Sequence, residues 1–185
     1  MGSPTPPPPG DVPAKGLLIQ GGPGSGSGTA DNCSAAGSDP ATACNAYAAL
    51  VYAVPDGEAA STVKLEIHDV SGSGSTPDAT PGATLELCPL RNAALDAEQG
   101  GPMSDAPAFD CSRSVTAPPD GSGKSYTFDV KRLPVHDGSL SFAILSTLPS
   151  DRVVLDPPGE HSVQLAGKSS ASEAGVVRFL LGWIW

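Results

Sequence analysis

Aromatic side chains are scarce in this chain, with two Trp, three Tyr and four Phe among 185 residues. That scarcity disfavours a thick α/β core and suits a thin two-layer structure filled by Val, Leu and Ile. Basic residues are also few: ten Lys and Arg against twenty Asp and Glu give a net charge of −10, and the ten form no cluster. A nucleic-acid partner is excluded on that balance, because neutralising phosphates takes a basic stripe. No apolar run reaches the roughly 20 residues of a spanning helix. The C-terminal VVRFLLGWIW, Val176 to Trp185, is half that length. It reads as the stump of a truncated anchor, a cloning scar or an extra strand, so a membrane enters only through a missing or truncated anchor.

Several catalytic signatures are missing as well. Gly121 to Ser125, GSGKS, carries the end of a phosphate-binding loop, but Pro118 stands where the pattern needs its first Gly. The YTFDV that follows is a strand pattern where a helix N-terminus is required, so no nucleotide is expected. LLIQGGPGSGSG, Leu17 to Gly28, offers a strand and then glycines, yet Thr29 breaks the dinucleotide register and no helix follows. Neither Ser-Gly run contains a G-x-S-x-G elbow. The three histidines, His68, His136 and His161, are scattered; His68 adjoins Asp69 and His136 adjoins Asp137, as surface neighbours do by chance.

Carboxylates are plentiful, and nothing singles out two of the twenty as a glycosidase pair, which leaves a polysaccharide- or peptidoglycan-acting hydrolase as the alternative. Asp137, Asp151 and Asp156, with turn carbonyls, are candidate Ca²⁺ ligands, although no D-x-D-x-D-G loop is present and solvated turn acids are the default reading. No other cofactor is implied. Tyr47, Tyr52 and Tyr126 are the candidate sugar-stacking rings, but their strand patterns place them in the core.

What the chain does have is punctuation. The 22 Gly and 20 Pro make up about 23% of the residues, against roughly 12% in average usage. The four cysteines Cys33, Cys44, Cys88 and Cys111 include no C-x-x-C pair and no His at ligand spacing, which argues for disulfides and an oxidising compartment over zinc. Of the three pairings open to four cysteines, Cys33–Cys44 with Cys88–Cys111 is expected, because each pair brackets a Gly-, Pro- or Ala-rich loop that gains from a staple. Asn32-Cys33-Ser34 fits a glycosylation sequon. Ser3 to Pro13, SPTPPPPGDVP, is an extended polyproline stalk, and Met1-Gly2-Ser3 before it resembles an expression start placed after a removed leader.

Between the turns lie short strands. Thr62 to Val70 alternates cleanly, with Val63, Leu65 and Ile67 inward and Lys64, Glu66 and His68 outward. Ser125 to Ser146 holds two strands in succession, with Tyr126, Phe128 and Val130 on one inward face and Leu140, Phe142 and Ile144 on the other. The Lys131–Gly138 connection is too long for a tight two-residue hairpin, which lets the two strands lie in different sheets. Further strands are expected at Leu17–Gln20, Ala46–Val54, Thr84–Cys88, Phe109–Val115, Arg152–Leu155 and His161–Leu165, and a helical turn within Leu90–Gln99. Eight or nine short strands separated by Gly, Pro and Asp turns predict an all-β fold, an antiparallel, jelly-roll-like β-sandwich behind the Pro-rich stalk. The organisation is a linker over 1–15, a sandwich domain over 16–166, and a linker with a short apolar tail over 167–185.

From residue 62 to 166 the order of segments resembles the jelly-roll accessory modules of bacterial surface and polysaccharide-acting proteins, including the DNRLRE type. The matching segments are YTFDV-x-x-L at Tyr126 to Leu133, DG-x-L-S-F-A-I at Asp137 to Ile144, and a late acidic residue, Glu160. AYAALVYAVPDG stands where that group has an aromatic, Arg-rich strand. The Ala-, Gly-, Pro- and Asp-heavy composition resembles that of a high-GC actinobacterium. The resemblance implies a secreted or cell-surface module without catalytic activity that binds carbohydrate or cell wall, or serves as an adhesion or spacer domain. It carries over no site residues. A protein-partner-binding surface domain, using a sheet edge or the apolar tail, is the third reading.

Overall fold

The computed structural model describes residues 17–20, 46–69, 77–92, 107–148, 150–159, 162–166 and 176–184. Cys33, Cys44, Asn32, Glu160, His161, the Pro-rich stalk and most of the Leu90–Gln99 segment lie outside them.

The protein is an all-β antiparallel sandwich. The larger sheet holds β1 (Leu17–Gln20), β2 (Ala46–Ala53), β4 (Leu85–Pro89), β5 (Val115–Ala117), β7 (Val135–His136), β8 (Ser139–Ser146), β9 (Arg152–Leu155) and β11 (Val176–Ile184). The smaller one places β3 (Ala59–Glu66) between β10 (Val163–Ala166) and β6 (Ser125–Asp129). Every ladder is antiparallel. β6 and β8 do lie in different sheets, as the spacing of the two predicted strands implies. The backbone of Val176–Ile184 pairs with β2 from Ala46 to Tyr52, so of the three readings of the tail, the strand is the conformation it adopts.

β3 shows how the sandwich is specified. Val63, Leu65 and Ile67 are buried between the sheets, while Lys64 and Glu66 face water. The alternation survives because only one face of the small sheet is covered. Facing it from the large sheet are Leu50, Tyr52, Leu85, Leu87, Leu140, Phe142 and Ile144, which with Tyr126 and Phe128 make one continuous core.

The central strands of the large sheet behave differently. Tyr47, Ala49 and Val51 on β2, Cys88 on β4, and Ala143 and Leu145 on β8 point away from this core, yet all are buried. The chain leaving β4 covers them. Leu90 pairs with Phe109, Arg91 N–H donates to Ala108 O at 2.9 Å, and Asp110 N–H donates to Pro89 O at 2.9 Å. Phe109 meets Tyr47 edge-on at 5.3 Å, and the Tyr47 hydroxyl donates to Pro107 O at 2.8 Å. The Cys88–Cys111 disulfide, with a Cα–Cα distance of 4.6 Å, closes this flap and is the pairing expected for those two cysteines.

Three local expectations are corrected. Phe109–Val115 is not a strand: Cys111–Arg113 forms a single 3₁₀ turn, because the Asp110 carboxylate accepts from Ser112 N–H and bends the chain, and pairing resumes at Val115. The Lys131–Gly138 connection does contain a two-residue hairpin. It joins β7 to β8 through Asp137 and Gly138, at φ 49° and 68°, the left-handed pair of a type I′ turn. The strand expected at His161–Leu165 runs over Val163–Ala166.

At one corner the sheets join. Ile67, just past β3, bridges to Leu155 of β9, Asp156 N–H donates to Glu66 O at 2.9 Å, and His68 N–H donates to Val154 O at 2.8 Å. The small sheet thereby hands its middle strand to the edge of the large one. Two concavities open beside this corner.

Candidate functional site

The alternation of β3 puts Lys64 and Glu66 on the solvent face of the small sheet, where Lys64 Nζ meets Glu66 Oε1 at 3.2 Å. Two clefts open beside this pair. One, of about 360 Å³, runs toward the Asp120–Ser125 loop; the other, of about 420 Å³, runs toward Pro157, Pro158, Gly159 and Ser162. Lys64, Glu66 and Asp156 line both, so the two clefts adjoin as a corner groove.

The Asp120–Ser125 loop is the segment resembling a phosphate-binding loop, and its donors are already committed. Asp120 Oδ1 accepts from Ser122 N–H at 3.1 Å, Ser122 Oγ at 2.7 Å and Lys124 N–H at 3.0 Å, while Oδ2 accepts from Ser125 Oγ at 2.9 Å. The backbone amides that a nucleotide phosphate would need converge on the protein's own carboxylate. These bonds, that of the Ser122 side chain foremost, hold Asp120 well below the usual carboxylate range. The loop is a fixed wall of the groove. Gly123, at φ 69°, supplies the left-handed residue that the turn requires.

The histidine expectations resolve in one case. His68 pairs with Asp156, Nδ1 to Oδ1 at 2.7 Å and half-buried, and not with its sequence neighbour Asp69. The partners are 88 residues apart, so only the β3–β9 corner brings them together. Ser122 and Ser125 donate their hydroxyl protons to Asp120 and so are not presented to His68 as nucleophiles. His136 sits exposed on β7.

Asp137, Asp151 and Asp156 do not converge. Among the described residues, the one group of three or more His, Cys, Asp or Glu ligand atoms within metal-binding reach is Glu86, Cys88 and Cys111. Asp137 lies in the type I′ turn and Asp156 in the groove. Asp151 departs from the solvated-acid reading: it is 3% exposed, and its Oδ2 accepts from Ser146 Oγ at 3.3 Å. Burial pushes its carboxyl upward, opposed by the Ser146 bond. The folded state therefore holds this proton to higher pH than the unfolded chain does. Stability from this group is greatest below the unfolded value and declines as pH rises through the folded one. Asp151→Asn, which keeps an acceptor and removes the charge, is expected to melt above the parent at neutral pH. Scanning calorimetry across a pH series should show the gap closing on acidification.

The three tyrosines are core residues, as their patterns imply: Tyr47 is 1% exposed, Tyr52 and Tyr126 0%. Tyr126 donates to Ala83 O at 2.9 Å, and burial raises its hydroxyl pKa to about 12. None of the three offers a ring face to a ligand. A ligand of the groove would meet the charged and hydroxyl groups of Lys64, Glu66, Asp156 and Ser122 together with the apolar faces of Pro77, Pro157 and Pro158. A further cleft of about 470 Å³, between Val115, Thr116, Asp129, Lys131 and Arg132, holds the exposed Lys131–Asp129 pair at 3.5 Å.

No family model, curated protein or solved structure matches this chain.

Proposed function

We propose that this chain is a non-catalytic, secreted or cell-surface module that binds a carbohydrate or cell-wall polymer along the corner groove. The observation that carries this reading is the groove itself. Its two clefts adjoin on the solvent face of β3, the middle strand of the small sheet. Lys64, Glu66 and Asp156 lie at its middle, and loops already hydrogen-bonded internally wall it. An elongated polyhydroxylated chain needs such a place, with polar arms held at fixed spacing on a rigid support. The jelly-roll resemblance and the Pro-rich stalk point the same way. A spacer or adhesion role would use the same scaffold without the groove.

The hydrolase reading keeps one observation in its favour, since Glu66 and Asp156 line the same groove. Hydrolysis would require one of them to deliver a proton and the other to act as base or nucleophile. Binding requires only that both accept hydrogen bonds.

Co-sedimentation with insoluble polysaccharides and purified cell walls separates these readings. The proposal expects saturable binding with no soluble sugar released and no effect of EDTA. It also expects a loss of about tenfold in affinity when Lys64, Glu66 and Asp156 are replaced together by alanine, as removing a few exposed polar contacts predicts. Sugar release abolished by Glu66→Gln or Asp156→Asn would put the hydrolase first. Binding untouched by the triple replacement would move the site elsewhere.

A further inference from the structure

Among the described residues, the outer face of the large sheet buries the carboxyl group of Glu86 within a mostly apolar layer. Glu86 is 3% exposed and shares its face of β4 with Cys88, two residues on. Around that face lie Ala143, Leu145, Leu90 and Phe109. Ser114 Oγ donates to Glu86 Oε1, and among the described residues no Lys, Arg or His forms an ion pair with it. A carboxylate this deeply buried is ordinarily matched by a cation or a metal. Here the atoms within its reach are sulfurs: one carboxylate oxygen and the Sγ atoms of Cys88 and Cys111 all lie within 4.8 Å of one another.

We propose that reduction of the Cys88–Cys111 bond converts this cluster into a site for a thiophilic divalent cation, Zn²⁺, with Glu86 as the third protein ligand. A dithiol reductant supplies the two electrons and two protons. The S–S bond breaks, Cys88 and Cys111 become thiols, and the reductant leaves as its own cyclic disulfide. Zn²⁺ then displaces both thiol protons to buffer and bonds to the two thiolates and the carboxylate, water completing a tetrahedron. Thiolate ligands select zinc over magnesium or calcium.

The scaffold accommodates the change. Zn–S bonds of about 2.3 Å place the two sulfurs roughly 3.8 Å apart. Side-chain rotation can supply that separation while β4 and the Cys111–Arg113 turn stay in place. Glu86 is buried before the metal arrives, so zinc supplies a partner charge that no described Lys, Arg or His provides. Disulfide and metal are mutually exclusive occupants, and the bound metal reports the redox state of the flap.

Co²⁺ is the probe that tests this, because thiolate ligation gives a near-ultraviolet charge-transfer band. The full chain is reduced, freed of reductant without air, and titrated. The expected result is a thiolate–Co²⁺ band saturating at a single equivalent, absent from the oxidised chain and displaced by Zn²⁺. The band should survive Cys33→Ser/Cys44→Ser, vanish in Cys88→Ala/Cys111→Ala, and need roughly tenfold or more cobalt in Glu86→Gln. Far-UV circular dichroism on the same samples reads the fold. No band, a band that persists without Cys88 and Cys111, unchanged affinity in Glu86→Gln, or loss of β-structure on reduction would each overturn the proposal.

Discussion

Phe142→Ala is expected to destabilise the protein by about 3–5 kcal/mol, the cost of emptying a large aromatic site in a packed core. Phe142 is 0% exposed and lies on the inward face of β8, the central strand between β2 and β4. Its strand neighbours are Leu50 on one side and Pro89 on the other, and its ring stacks on Tyr52 with centroids 5.9 Å apart. Strands on both sides are fixed by their own ladders, so the cavity cannot collapse, and this places the cost at the upper end of the range. Phe142→Leu keeps most of the volume and should cost far less. Val135→Ala, at a side chain 40% exposed, should stay within about 0.5 kcal/mol. Urea denaturation of the three variants checks the ordering. A cost under about 1 kcal/mol for Phe142→Ala would mean that the two sheets do not pack through this ring.

The second large effect lies in the flap. Cys88→Ala/Cys111→Ala is expected to cost about 3 kcal/mol, because the bond closes a loop whose ends are 23 residues apart. For a domain of this size that is a fall in melting temperature of roughly 10 °C. The fold should persist, since β2, β4 and β8 are paired independently of the bridge. The loss should be accompanied by faster amide exchange at Leu90, Arg91 and Asp110, whose hydrogen bonds tie the flap to the sheet. A melting temperature unchanged by the double replacement would show that Tyr47, Phe109 and the backbone bridges hold the flap unaided.

Strand positions were legible where one face of a strand meets water. β3 is the clearest case, with its inward and outward residues assigned correctly from period-2 alternation alone. β2 and β8 were legible as strands but not as doubly buried ones. Alternation assigns Leu140, Phe142 and Ile144 to a core, and nothing local reveals that Ala143 and Leu145 are covered by a segment arriving from β4. The same tertiary fact hides Glu86, whose pattern in LELC is that of a solvated residue. Phe109–Val115 departs from its strand pattern because the Asp110 cap, an Asx turn into Ser112, outweighs strand propensity over three residues.

The groove divides along the same line. The Asp120 loop carries a local signal: an Asp followed by Ser at two and five residues is the composition of a turn that satisfies itself. The His68–Asp156 pair carried none. Its partners meet only because Ile67 crosses to Leu155, a contact no spacing encodes.

The central claim is that the groove at the β3–β9 corner is the binding face. Amide chemical-shift mapping tests it most directly, with soluble cell-wall or polysaccharide fragments titrated into the isotopically labelled chain. Saturable shifts concentrated at residues 62–69, 120–125, 156, 159 and 162 are predicted. Shifts that fall on the flap over β4 and β8, or along β11, while the groove stays silent, would contradict the account and put the ligand on the opposite sheet.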